Sequence, residues 1–456
     1  MHTSSLFYAT IITTFIFISD IKALTLHLLR HNCMQRHAFY SNPNNIKHKK
    51  IINTLNKPKQ RRKMSNSYIA SKPRYEILDG LRGVAAVIVV LFHMFECYSP
   101  GTLEQIINHG YLAVDFFFAL SGFVISYAYD NRWDKMTMTD FFKRRIIRLH
   151  PMVVFGTLFG ACFFYINACD SFPVIETVPW YFFLLAIVWC LTLLPIPAWL
   201  DMRGTVVTNP FTDPVWSLQF EYIANIIYAF ILRHLSKLAI AILCVVAAFF
   251  TVTLTMNIDL FGFLGTRTWA AYTVIGGWSF ELPQIYIGLV RLATPFLLGI
   301  LVARIGRFIT IGNAFFWCAL LVVGVTACPR LGGEEHMWMN GIYESAVIII
   351  AFPLILCIGA GSKIRGRKAY RLCNFLGDIS YPLYLTHIIY IYMLYNFKNN
   401  HPDAPLSMII CVCAGLFIAS LFTAYAALKL YDMPVREYLK KRWFSGKRTE
   451  KNIEKK

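Results

Sequence analysis

Charge is scarce in this sequence. Only 15% of its 456 residues are Asp, Glu, Lys or Arg, against about 25% in an average soluble domain. Acids are the scarcer sign: 25 Asp and Glu stand against 44 Lys and Arg, for a formal net charge of +19. That shortage excludes an ordinary soluble fold. With 57% hydrophobic residues and a mean hydropathy of +0.50, it implies a helical chain that crosses a bilayer many times. Metal-ligand spacing is also lacking. None of the 12 cysteines forms a Cys-x-x-Cys or Cys/His pattern, so no metal site is expected. Most sit singly in apolar runs and read as small hydrophobes. Cys169 and Cys328 fall near loops and are candidates for a disulfide. No internal repeat is evident, which argues against a two-halved transporter.

The basic residues are unevenly spread. Residues 1–75 hold 13 Lys and Arg against one acid, Asp20. Nucleic acid is not the expected partner, because basic flanks beside membrane spans anchor the cytoplasmic side. Residues 6–18 are apolar but lack the basic n-region and small-residue cleavage site of a signal peptide. Residues 26–63 have no periodic pattern. The expected organisation is a basic extension over 1–63, either disordered or preceding a natural start at Met64. A membrane domain over 64–440 and a basic cytoplasmic tail over 441–456 follow.

Eleven stretches have the apolar length of a span: 79–98, 110–130, 149–168, 179–195, 214–232, 238–256, 285–303, 311–328, 342–360, 378–396 and 406–428. Basic connectors over 131–148 and 361–373 mark the cytoplasmic side. Both termini are then cytoplasmic, which requires an even number of crossings. Ten are expected, with 149–168 or 179–195 crossing incompletely and 257–284 forming an outer loop or re-entrant cap. The fold class is all-α, a polytopic transmembrane helix bundle in the cell (inner or plasma) membrane.

Several ionisable residues interrupt the apolar runs, and inside a span these are costly and functional by default. Arg82 and His93 are eleven residues apart in one run. Eleven helical steps return to nearly the same face, about 16 Å further along. The alternative is a snorkelling arginine and a histidine paired with a neighbouring helix. Asp115 follows in the next span, beside three phenylalanines. It is a candidate to orient His93 as a general base, or else pairs with Arg82 or stays neutral. Ser121-Gly122 further along either serves the site or allows close helix packing. Arg145 and Arg148 share a helix face next to Arg144. Arginine suits bidentate phosphate contacts, but a positive-inside anchor would look the same.

Glu221 lies about two turns into the span opened by Trp216 and Ser217, and Arg291 is similarly placed in its own. Ser380, Tyr384 and His387 fall on one face by i, i+4, i+7 spacing; the alternative there is an aromatic packing stripe. Together the residues grade from arginine at the cytoplasmic mouth to histidine and carboxylate deeper in. That suits a polyanionic donor from the cytoplasm and a hydroxyl acceptor from outside.

In combination these segments resemble the acyltransferase-3 family of integral membrane O-acyltransferases. The matching pieces are Asp79-Gly-Leu-Arg82 with His93, Val114-Asp115-Phe-Phe-Phe with Leu120-Ser121-Gly122-Phe123, and Phe142-Lys-Arg-Arg145-x-x-Arg148-Leu-His150-Pro151. Val215-Trp216-Ser217-Leu-x-x-Glu221, Arg291 before Pro295, and Leu376-Gly377-x-x-Ser380-Tyr381-x-x-Tyr384-Leu-x-His387 complete the set. The resemblance runs from about 75 to 440. It implies transfer of an acyl group, commonly acetyl, from cytoplasmic acyl-CoA to a hydroxyl of a cell-surface glycan or similar acceptor.

Carried over by residue, His93 and Arg82 would be the essential catalytic pair, with Asp115 or Glu221 orienting the imidazole. Arg145 and Arg148, with Arg144 beside them, would hold CoA phosphates. Acyl-CoA would be a co-substrate, with no permanently bound cofactor. Two departures stand out. His150 replaces the aromatic that often precedes this proline, and only a short basic tail follows the last span, as in a standalone member. The alternative from another class is a proton-coupled transporter or flippase of a glycan or lipid precursor, which would neither bind nor consume acyl-CoA. A catalytically dead scaffold is a third reading.

Overall fold

The computed structural model describes residues 72–101, 103–265 and 267–444. The basic extension over 1–63 and the tail after 444 lie outside the described residues. Among the described residues the chain forms eleven helices, one for each apolar stretch. They are α1 (Glu76–Tyr98), α2 (Leu112–Tyr129), α3 (Met138–Cys162), α4 (Trp180–Leu191), α5 (Val215–Phe230) and α6 (Lys237–Thr255). α7 (Leu282–Ile305), α8 (Ala314–Thr326), α9 (Trp338–Gly361), α10 (Arg367–Asn400) and α11 (Leu406–Phe444) complete the bundle. α9 and α11 each contain a π turn, at Val347–Ala351 and Ala427–Asp432. Seven helices are long and apolar enough to cross a membrane (α1, α2, α5, α6, α7, α9 and α11). α3 and α10 have 25 and 34 residues but are more polar, and α4 and α8 are apolar but shorter. The chain is a polytopic helical membrane protein.

Of the stretches 149–168 and 179–195, the second forms the shorter helix, α4. Its 12 residues extend about 18 Å, well short of a bilayer core of about 30 Å. Beyond it, the Leu193 carbonyl accepts from Gln219, only about one turn into α5. The chain then turns back: Arg203 stacks near Phe164 and Phe172, which follow the end of α3. Among the described residues of 257–281, the only helical turn is a short one at Thr268–Ala270. The segment pairs with the 192–214 loop through a Val207–Ser279 bridge, and it packs inward with Val274 and Ile275 buried. The expected cap is therefore a folded-in loop. No disulfide joins Cys169 and Cys328; both thiols are free. Cys169 neighbours Cys97, whereas Cys328 lies beside Tyr343.

Two helix pairs set the frame of the site. α1 and α10 run parallel, since Arg82 meets Ser380 and His93 meets His387 further along. Their backbones nearly touch: a Cβ on Gly83 would collide with the Leu376 carbonyl, and one on Gly377 with Asp79. α2 and α7 are also parallel, joined by Asp115–Arg291 and, further on, Asp130–Arg304.

Candidate active site

Glycines bring α10 close enough for Arg82 to reach its backbone. Arg82 Nε donates to Ser380 Oγ at 2.8 Å, and a terminal nitrogen donates to the Gly377 carbonyl at 2.8 Å. Asp79, one turn earlier, lies 3.3 Å from the guanidinium. Arg82 is therefore clamped in place. About 16 Å further along the same helix, His93 presents its ring to His387 of α10, stacked at 5.6 Å between centroids.

The imidazole of His93 has a carboxylate partner, though neither one expected from the sequence. Glu96, one turn on, lies 2.8 Å from Nδ1. A carboxylate there holds the proton on Nδ1 and leaves the Nε2 lone pair free, the arrangement a general base requires. His387 is fixed similarly: its Nδ1 faces the carbonyls of Tyr384 at 2.9 Å and Leu383 at 3.2 Å. Carbonyls only accept, so Nδ1 carries the proton and Nε2 is an acceptor. Asp213, just before α5, lies within electrostatic reach of both His93 and Glu96. Burial pushes its carboxyl up to about 6, against the lowering pull of His93 and Arg203.

The two carboxylates expected at His93 are engaged elsewhere. Asp115 is completely buried and forms a two-pronged pair with Arg291, at 2.7 and 3.3 Å. Arg291 also donates to the carbonyls of Tyr111 and Gly276 and stacks over Trp216 at 5.1 Å. Gly276 and Gly277 adopt φ of +138° and +109°. That conformation lays the cap loop onto Trp216 and aims the Gly276 carbonyl at Arg291. Glu221 instead accepts from Arg145 at 2.6 Å and from Ser121 at 2.8 Å. Gly122, next to Ser121, abuts the Phe296 backbone. Gly122 thus serves close helix packing, while Ser121 ties α2 to Glu221 of α5. Ser217 and Tyr384 share a 2.7 Å hydrogen bond that ties α5 to α10.

Three guanidiniums from two helices converge where α1 begins. Arg148 sits beside Arg145 and Arg82, with Glu221 and Tyr129 nearby. Arg82 is compensated by Asp79 and Arg145 by Glu221. Arg148 makes no hydrogen bond or ion pair among the described residues, and its side chain is exposed. Such a group suits a phosphate oxygen. Arg144 points to a different partner, stacking over Phe444 of α11 at 4.8 Å. The arrangement therefore combines an exposed, uncommitted arginine at one end with an oriented imidazole in the interior, on elements linked through α1 and α10.

The sequence profile described as Acyltransferase domain, of the acyltransferase-3 type, matches residues 75–425. The chain belongs to the acyltransferase-3 family. It is a multi-pass membrane acyltransferase, and every residue of the site described above except Phe444 falls inside the match. "Protein 2 in picA locus" of Rhizobium radiobacter is 34% identical over 166 residues, which cover 34% of this chain and 81% of that protein. The O-acetyltransferase OatA of Staphylococcus aureus is 36% identical over 87 residues, 18% of this chain and 13% of that protein. The peptidoglycan O-acetyltransferase OatA of Listeria monocytogenes is 31% identical over 98 residues, 21% of this chain and 14% of that protein. Thus the alignments span 13% and 14% of the two O-acetyltransferases. No solved structure matches the chain.

Sequence reasoning missed Glu96 and Asp213. The signal for Glu96 was available, since His93-x-x-Glu96 is an i, i+3 pair on one helix face. Asp213 stands in an aperiodic loop, and no sequence spacing ties it to His93.

Proposed function

We propose that the acyltransferase moves an acyl group, acetyl in the first instance, from cytoplasmic acyl-CoA to a hydroxyl of a cell-surface glycan. The observation that carries this reading is His93, whose Nδ1 is held by Glu96 so that Nε2 is left as a base, on the same helix stripe as Arg82. The CoA phosphates bind the arginine mouth, where Arg148 supplies the uncommitted guanidinium and Arg82 and Arg145 the surrounding positive field. Both chain termini are cytoplasmic in this reading, because basic connectors flank that mouth. The O-acetyltransferase relatives support acetyl as the group and a wall or surface glycan as the acceptor class.

His93 Nε2 takes the proton of the acceptor hydroxyl as its oxygen attacks the thioester carbonyl carbon. The C–S bond then breaks, and the departing CoA thiolate receives that proton from Nε2. The thioester is consumed, one ester and one free CoA thiol form, and His93 returns to its starting state. Asp115–Arg291 acts at a distance, holding α2, α7 and the cap loop around Trp216.

The test follows labelled acetyl-CoA in membranes containing the chain, with a cell-envelope fraction as acceptor. Glu96→Gln should lower kcat by about 10- to 100-fold, less than the roughly 100- to 10,000-fold a general base supplies because the imidazole itself remains, and leave the acetyl-CoA KM little changed. Arg148→Gln should do the reverse. A Glu96→Gln enzyme with wild-type kcat would remove His93 from the base role. Trapping of label on His93 would replace the direct route with a covalent one.

A further inference from the structure

Three buried polar atoms around His93 have no hydrogen-bond partner among the described residues: Arg203 Nη1, Asp213 Oδ1 and His387 Nε2. Each such atom costs about 1–3 kcal/mol if left unmet, so a native site keeps them only where something completes them. Arg203 and His387 are fixed by hydrogen bonds, and Asp213 by the turn that precedes it. Arg203 is 2% exposed and donates from Nε to the Pro210 carbonyl. Its guanidinium lies over Tyr392 at 3.7 Å. Asp213 follows a turn in which Asn209 Oδ1 accepts from the Phe211 and Thr212 amides, and Thr212 Oγ1 donates to the Leu385 carbonyl. His387 is fully buried, with its tautomer set by the carbonyls behind it.

The three atoms belong to one neighbourhood. Asp213 is within electrostatic reach of both His93 and Arg203, and also of Tyr384 and Tyr392. His387 stacks directly on His93. Chemically the set is one donor and two acceptors. A hydroxyl both donates and accepts, so one hydroxyl satisfies Arg203 and Asp213 together, and a neighbouring hydroxyl donates to His387. A thioester carbonyl offers no donor and would leave Asp213 and His387 unmet. The set therefore fits the acceptor and not the donor.

We propose that Arg203, Asp213 and His387 form the acceptor subsite, which takes a vicinal diol of a sugar ring or similar polyol and holds one hydroxyl against His93. The proposal rests on the acyl-transfer reading above. It gives the 192–214 loop, which turns back after α4, the task of carrying Arg203 and Asp213 into the bundle.

The full-length chain, reconstituted in lipid discs with labelled acetyl-CoA, provides the test. Methyl β-D-glucoside serves as the minimal diol probe and propan-1-ol as the mono-alcohol control. CoA release should saturate with the glucoside and not with propan-1-ol. Asp213→Asn and Arg203→Lys should each raise the glucoside KM by about tenfold, the equivalent of one buried hydrogen bond, while acetyl-CoA KM and equilibrium binding stay within about twofold of wild type. Retained acetyl-CoA binding also shows that the variants are folded. An unchanged glucoside KM, or loss of acetyl-CoA binding in step with activity, overturns the subsite. So does a wild type that acylates envelope material but ignores the glucoside, although the transfer reading then survives. A wild type that releases no CoA with either acceptor overturns both.

Discussion

The Asp115–Arg291 pair gives the sharpest energetic prediction. Both side chains are almost wholly shielded, at 0% and 2% exposure, and their bond is 2.7 Å. Breaking a buried pair by removing one partner costs about 3–5 kcal/mol, because the survivor is left as an uncompensated charge. The two single variants should differ. In Asp115→Asn, Arg291 keeps the Tyr111 and Gly276 carbonyls at 2.8 and 2.9 Å, so the loss should fall near about 3 kcal/mol. In Arg291→Met, Asp115 retains no cation and the cap loop loses its anchor at Gly276, so the loss should approach about 5 kcal/mol. The double variant should be less damaged than the sum of the singles, with a coupling of about 2 kcal/mol. Chemical denaturation in mild detergent measures all four proteins. Single variants within about 0.5 kcal/mol of wild type, or strictly additive losses, would refute the buried-pair account. The folded fraction of Asp115→Asn should also keep the wild-type pH profile of transfer, since His93 takes its carboxylate from Glu96.

Other consequences are equally open to measurement. A Cβ at Gly83 meets the Leu376 carbonyl, so Gly83→Ala should destabilise by about 1–3 kcal/mol. It should also loosen Arg82, seen as a lower melting temperature and a higher acetyl-CoA KM. Among the described residues Arg148 has no hydrogen bond or ion pair to lose, so Arg148→Gln should weaken acetyl-CoA binding without changing thermal stability. Burial raises the Asp213 carboxyl to about 6, above its unfolded value, so the folded state holds that proton more tightly. The group's contribution is fully present below about pH 4 and is lost as pH rises through about 6. Asp213→Asn should therefore gain on wild type by at most about 2–3 kcal/mol between those limits. A constant stability difference across that window would contradict the assignment.

Most of the frame was legible because the bilayer makes apolar length a strong signal. Each of the eleven apolar runs became a helix. The sequence could not rank 149–168 against 179–195, since both have the composition of a span. The difference lies in where the helix stops: α4 ends at Leu191, and Leu193 then takes a φ of +67° that breaks the helical path. Residues on one helix face were also readable, so the Arg82–His93 stripe and the Ser380, Tyr384, His387 stripe appear as spacing predicts. Partners across helices were not readable. Asp115 and His93 lie on adjacent helices, yet the close packing of Gly122 against α7 sets a register that delivers Asp115 to Arg291. Arg203 and Asp213 escaped because a loop has no period, and only the tertiary fold brings them to His93.

The central claim is that His93 performs acyl transfer from acyl-CoA. Labelled acetyl-CoA turnover with wild type and His93→Ala, at equal expression and with equal acetyl-CoA binding, tests it most directly. The wild type should yield free CoA and labelled glycan, and the variant neither above background. Equal turnover by both proteins would contradict it and move the chemistry away from His93.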